Sequence, residues 1–227
     1  MVIGSWYAAA RADIVRNELK ALAYFGRQDS FYSFSMNAKS ACELAKSRPR
    51  SPLFFEGDLG IKLDGHRGVA HIGANTHLQD GNPTGELSYS LAICKGAVDQ
   101  DDHKLLRRYH FDYASKKPTD RQPHPVFHLQ YGGEKSRRMS KCDGDLESWL
   151  SEPRIVFMPM SLTLLINVVL KEFPDESTSK ISEDGEWRNI ALDAENKLLR
   201  TFYSECSDFL RLEKGRLLFT TDFCYGD

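Results

Sequence analysis

A chain of 227 residues with 41% hydrophobic and 27% charged residues has the composition of a folded globular protein, which excludes a disordered tail. At about 100–200 residues per domain, this length predicts a single α+β domain over residues 1–227. The net charge of −2 and the pI of about 6.4 are far from the pI above about 9 that is typical of a nucleic-acid-binding domain.

Targeting signals and disulfide patterns are not evident in this sequence. The first residues lack a basic start followed by an apolar run, so we expect no signal peptide. The most apolar run, residues 161–173, is shorter than the roughly 20 residues needed to span a bilayer, so we expect no membrane partner. The cysteines are scattered and odd in number, which predicts reduced thiols in a cytoplasmic protein. They are Cys42, Cys94, Cys142, Cys206 and Cys224.

The N-terminal segment, residues 1–50, is predicted to be helical. Val15, Leu19 and Leu22 recur at helical spacing, and Gly26 is a C-terminal stop, which predicts a helix over residues 8–25. A second helix is predicted over residues 31–47.

Residues 51–133 are predicted to form the sheet. Five runs with short connections indicate an antiparallel meander of about five strands. Asp64 and Gly65 are typical of a hairpin turn, and QDGNPTG, residues 79–85, is predicted to be a loop.

Residues 145–227 are predicted to be a helical C-terminal segment. Ser161 can cap a helix that runs to Phe173, followed by a polar loop over residues 175–185. A long helix is expected to open at Ser182, and residues 216–225 are a candidate last strand. The long helix has a near-heptad apolar stripe, which is Trp187, Ile190, Ala194, Leu198, Phe202, Cys206 and Phe209. The predicted architecture is therefore a meander flanked by N-terminal and C-terminal helix pairs, with helices packed on one face of the sheet.

The candidate site comes from two neighbouring strands, RRYHFDYA and HPVFHLQYGG, in which rings alternate with polar side chains. Alternate residues of a strand face opposite sides of the sheet. Because the apolar sides must meet, we predict a hairpin in which Phe111 lies opposite Phe127 and His110 lies opposite His128. Asp112 is then expected beside both histidines.

Imidazoles and a carboxylate on one face have two interpretations. His110, Asp112 and His128 are candidate catalytic residues, or ligands of a divalent metal, because imidazole supplies a lone pair and a carboxylate fixes its tautomer. The spacing matches no established metal motif. The structural alternative is a pair of half-buried histidines that are hydrogen-bonded to Asp112 or to the backbone.

The charge of the chain is concentrated in its centre. Residues 104–141 carry 10 Lys/Arg and 3 Asp/Glu, whereas residues 142–227 carry 9 and 17. A basic sheet region with aromatic side chains suits a nucleic acid or nucleotide. The alternative is that basic strands pack against acidic helices within one domain. The candidate phosphate-binding residues are Arg107, Arg108, Arg137 and Arg138.

The middle third of the chain resembles a pattern in uncharacterised bacterial families. That pattern is an aromatic Y-x-F-D-Y strand, an H-P-x-x-H-L strand, and then an arginine and a proline before a helix. The matching residues are Tyr109, Phe111, Asp112, Tyr113, His124, Pro125, His128, Leu129, Arg154 and Pro159. Such families are similar to accessory components of toxin–antitoxin or antiphage modules, so the resemblance implies a context and not a reaction.

Two functions from different classes follow. The first is a non-catalytic interaction subunit of a bacterial defence or toxin–antitoxin-type system, which docks another protein subunit and has nucleic acid as a further candidate ligand. The second is a metal-dependent nuclease or phosphoesterase that uses the His/Asp cluster, with a divalent metal as its cofactor.

Overall fold

The computed structural model describes residues 3–28, 53–63, 68–79, 82–95, 104–113, 127–131 and 154–212. The class is α+β, as predicted: one antiparallel sheet and a set of helices. The predicted helix over residues 31–47, the turn at Asp64 and Gly65, and the last strand over residues 216–225 lie outside the described residues.

The sheet is a meander whose strands lie side by side in chain order. Its strands are β1 (Leu53–Leu63), β2 (Gly68–Gln79), β3 (Asn82–Lys95), β4 (Lys104–Tyr113), β5 (Phe127–Tyr131) and β6 (Arg154–Val156). The first five were predicted, and β6 is a short addition. The predicted loop over residues 79–85 is wrong in extent, because Leu78 already pairs with Pro83 and Gln79 with Asn82.

The helices are α1 (Ile3–Phe25), α2 (Leu162–Glu172), α3 (Glu176–Glu183), α4 (Gly185–Glu195) and α5 (Thr201–Leu212). Helix α1 begins at Ile3, five residues earlier than predicted, and ends at Phe25 as predicted. Helix α2 confirms the predicted cap: the Ser161 hydroxyl accepts a hydrogen bond from the backbone N–H of Leu164.

The predicted polar loop over residues 175–185 is mostly helix α3. Asp175 and Thr178 form a capping box in which each side chain bonds to the other residue's backbone N–H, and buried Ile181 anchors the turn. Ser182 therefore lies inside α3, and Asp184 caps α4 by accepting from the Trp187 N–H.

The apolar stripe predicted for the last long helix is buried from Trp187 to Cys206. Its spacing is four residues from Ile190 onward, which exceeds the 3.6 residues of an α-helical turn. A π-helical turn over Asn196–Arg200 joins α4 to α5 and takes up part of this excess. Phe202 therefore faces the sheet, where the centroid of its ring lies 6.0 Å from that of Phe127.

The core lies between the helices and one face of the sheet. Ala70 and Ile72 of β2 and Tyr89 and Leu91 of β3 are buried there, as expected for alternating strand residues. Trp187 is fully buried, and its ring centroid lies 5.1 Å from that of Phe25 in α1.

Two neighbouring polar residues of α1 tie the helices to the sheet. Glu18 is buried; its Oε1 accepts hydrogen bonds from the Tyr89 hydroxyl at 2.6 Å and from the Leu162 N–H at 3.2 Å. Asn17 accepts from the Thr163 hydroxyl at 2.7 Å and donates to the Ile190 carbonyl at 2.9 Å. The first N–H groups of a helix have no acceptor within that helix, and the Glu18 carboxyl provides one for the Leu162 N–H at the start of α2.

Candidate functional site

The candidate site is the polar face of the sheet, opposite the core, on strands β3 to β5. Ser88, Asp112 and His128 form one row across these strands, because Ser88 pairs with Asp112 and Asp112 with His128. Ser90 and His110 are opposite each other in the next row. The described structure therefore brings the three predicted residues to one face, as the alternation predicted.

The predicted register of the β4–β5 hairpin is wrong by two residues. Phe127 lies opposite Tyr113 and not Phe111, and His128 lies opposite Asp112 and not His110. A shift by two keeps every side chain on its predicted face, so the hydrophobic pattern could not distinguish the two registers. The consequence is chemical, since a carboxyl and not an imidazole lies directly across from His128.

Asp112 and His128 form a close buried pair. His128 Nε2 lies 3.5 Å from Asp112 Oδ2, and the His128 side chain is almost wholly buried. Burial by itself raises the pKa of Asp112, but hydrogen bonds from His128 and Ser88 and the nearby imidazoles hold that pKa below its ordinary value. Asp112 is therefore a carboxylate at neutral pH, which is the form that orients an imidazole.

His110 is set apart from this pair by its environment. Burial and the guanidinium of Arg108, together with His128, lower the pKa of His110, against the opposing effect of Asp112. The imidazole is consequently neutral at neutral pH. A neutral imidazole beside an ionised carboxylate can accept a proton or a hydrogen bond.

The two predicted phosphate-binding arginines of β4 have opposite environments. Arg108 is buried on the polar face, whereas Arg107 is exposed and donates from Nη1 to the Leu106 carbonyl at 2.7 Å. They are adjacent in sequence, so their side chains leave opposite sides of the strand. Arg137 and Arg138 lie outside the described residues.

His71 is a member of the polar face that the sequence reasoning missed. It lies in β2 opposite Ala92, which in turn lies opposite Arg108. The signal was present, because Ala70 and Ile72 alternate with His71 as core residues alternate with outward residues.

The three nominated side chains do not fit a metal site by themselves. In the ranges that the structure describes, no group of three or more His, Cys, Asp or Glu residues is placed to hold a metal ion. A small pocket with walls that include Asp112, His128, Tyr113 and Met158 has a volume of ≈ 10 Å³, which is about the least that holds one water molecule. We derive no catalytic step through a metal from this arrangement.

A second surface lies on the core side of the sheet, beyond the cover of the helices. Tyr109 and Tyr131 are opposite each other on β4 and β5, with ring centroids 5.5 Å apart in an edge-to-face arrangement. Tyr131 is 42% exposed, and Arg107 is the next residue on this face of β4. We call Arg107, Tyr109 and Tyr131 the open platform.

A third surface borders strand β6. Ile155 is 54% exposed, and Tyr203 of α5 is 56% exposed with its hydroxyl 3.7 Å from the Met158 sulfur. We call Ile155, Met158 and Tyr203 the β6–α5 margin. Large exposed apolar side chains are typical of contact surfaces when they lie together.

Comparison of the chain with protein-family models, with curated proteins and with solved structures found no match. Within the described residues, no helix has both the length and the apolar character needed to cross a membrane.

Cys94 and Cys206 are buried free thiols, and burial together with Glu205 raises the pKa of Cys206 to about 11.

Proposed function

We propose that this chain is a non-catalytic interaction subunit of a bacterial defence or toxin–antitoxin-type system, which docks a protein partner through the β6–α5 margin. The observation that carries the proposal is the exposure of Ile155 on β6 and of Tyr203 on α5, where the Tyr203 hydroxyl contacts Met158, three residues after Ile155. The bacterial context rests on the sequence resemblance of the middle third of the chain.

The margin is suited to side-chain contact more than to addition of a strand. Strand β6 has only three residues and follows Pro153 in the sequence, and both features oppose pairing with a further strand. In contrast, Ile155 of β6 offers an exposed aliphatic side chain, and Tyr203 of α5 offers an exposed aromatic one. Aromatic residues at the centre of an interface contribute much of the binding energy.

The test uses matched variants of the full chain. Tagged wild type, Ile155→Asp and Leu192→Asp are expressed in the native host, and co-purifying proteins are identified and then reconstituted from purified components. Leu192 is the control because it is also 54% exposed but lies on α4. We expect I155D to lose the partner and L192D to keep it. A monomeric wild type with no reconstituted partner contradicts the proposal, as does equal binding by both variants.

The metal-dependent nuclease or phosphoesterase remains a second prediction. The geometry that bears on it is the distance of 3.5 Å between the His128 imidazole and the Asp112 carboxylate, which is a contact between side chains and not a metal site. Labelled DNA and RNA incubated with the protein, with and without Mg²⁺ or Mn²⁺, test it on one gel. Cleavage that needs metal and disappears in His128→Ala supports it, and unchanged nucleic acid in every lane refutes it.

A further inference from the structure

We propose that the open platform, formed by Arg107, Tyr109 and Tyr131, binds single-stranded nucleic acid by base stacking and a phosphate contact. This goes beyond protein docking at the β6–α5 margin and uses different residues. The platform is on the core side of the sheet, away from the buried polar face that holds His110 and His128.

The first observation is the presentation of the rings. Tyr131 is 42% exposed although Tyr109 packs against it, so one ring supports the other and leaves a surface open. Further along the same face, the Tyr113 and Phe127 ring centroids lie 5.3 Å apart with the rings tilted by 45°, and Phe127 packs against Phe202 of α5. The helices therefore cover one end of this aromatic row and leave the Tyr131 end accessible. An exposed ring on a sheet can stack a base of any identity.

The second observation is charge. Arg107 is exposed on the same face as Tyr109, because the two residues are two positions apart along the strand. Its position opposite Ile93 lies beyond Tyr131, the last described residue of β5, so no β5 side chain that the structure describes lies across from it. Residues 104–141, the stretch of chain that carries both strands, contain 10 Lys/Arg and 3 Asp/Glu. A cationic side chain beside a stacking surface complements a phosphate backbone with unpaired bases.

The choice of a single strand over a duplex follows from the stacking surface. Bases in a duplex present their edges and not their faces, so an exposed tyrosine has little to stack on. The surface is also small: two rings and one guanidinium contact about one or two nucleotides. We therefore expect modest affinity, strong salt dependence and little sequence preference.

The experiment measures fluorescence anisotropy of labelled oligo-dT and oligo-rU of about 12 nucleotides, with a duplex of the same length for comparison, at about 50 to 300 mM salt. Variants of the full chain are Tyr131→Ala and Arg107→Gln. The controls are Leu192→Ala, another exposed large side chain, which lies on α4, and Arg211→Gln, another exposed arginine, which lies on α5. Circular dichroism of each variant verifies folding.

We expect the wild type to bind both single strands more tightly than the duplex. Y131A should weaken binding about 5- to 150-fold, the range for loss of one stacked base. R107Q should weaken binding and reduce the slope of log K against log salt by about 0.7, the value for one phosphate on a single strand. L192A and R211Q should bind like the wild type.

Three results overturn the inference. One is the absence of salt-sensitive binding by the wild type, which leaves the platform to a protein partner. The second is tighter binding of the duplex, and the third is unchanged binding by Y131A. Failure of I155D to lose a protein partner refutes docking at the margin without affecting this measurement, so the two proposals fail separately.

Discussion

Removal of one hydroxyl group, in Tyr89→Phe, tests how α1, α2 and the sheet are held together. The Tyr89 hydroxyl donates to Glu18 Oε1 at 2.6 Å, and both residues are buried. Phenylalanine fills nearly the same volume, so the variant removes the hydrogen bond without opening a cavity. The change therefore measures a polar contact and not packing.

The magnitude follows from what remains at Glu18. A buried group that loses its partner costs about 1–3 kcal/mol, and hydrogen bonds to carboxylates lie in the upper part of this range. Oε1 still accepts from the Leu162 N–H, which is longer at 3.2 Å, so the loss is partial. We expect Y89F to lower the free energy of unfolding by about 2 kcal/mol.

Urea unfolding followed by far-ultraviolet circular dichroism provides the measurement, with Tyr203→Phe as the control. The Tyr203 ring is exposed, and its hydroxyl lies 3.7 Å from the Met158 sulfur. The free energy of unfolding of Y203F should therefore stay within about 0.5 kcal/mol of the wild-type value. In a thermal melt, 2 kcal/mol corresponds to about 4–8 °C at this chain length. If Y89F and Y203F unfold at the same denaturant concentration with equal slopes, the buried contact contributes nothing and the reasoning is wrong.

Four further predictions concern caps, contacts and pH. Asn17→Ala should lower the free energy of unfolding by about 2–3 kcal/mol in urea titrations, since it breaks contacts to two helices, whereas exposed Asn189→Ala should change it little. Asp175→Ala removes the capping box of α3 and should cost about 1 kcal/mol; no change in hydrogen exchange of α3 would contradict this. The folded-state pKa of His110 lies below the ordinary 6.5, so its protonation is less favourable in the folded protein than in the unfolded chain. The free energy of unfolding should therefore fall as the pH drops below about 6.5, and His110→Gln should show a shallower fall. The lowered pKa of Asp112 stabilises the folded protein at pH values above the ordinary pKa of 3.8. This stabilisation is lost as the pH falls through the folded-state pKa, so Asp112→Asn should flatten the acid end of the plot of unfolding free energy against pH.

Local patterns determined the elements of this fold and the faces of its strands. Alternation over β4 and β5 correctly separated Phe111 and Phe127 from His110 and His128, because side chains on a pleated strand alternate whatever the partner strand does. The Ser161 cap and the stop at Gly26 were also predictable, since caps act through backbone groups within a few residues. The short helix α3 was not, because its polar composition resembles a loop and only Ile181 marks its buried side.

Tertiary structure alone decided how those elements meet. The pairing of Asp112 with His128 depends on a register that the hydrophobic pattern leaves free by any even number of residues. The burial of Asn17 and Glu18 could not be read from α1, where Val15 and Leu19 marked the predicted face, because their partners lie more than 70 residues away. Likewise the sequence placed Arg107 and Arg108 together, but the sheet buries one and exposes the other. In each case a contact between distant segments sets the environment, and a local pattern carries no information about the other segment.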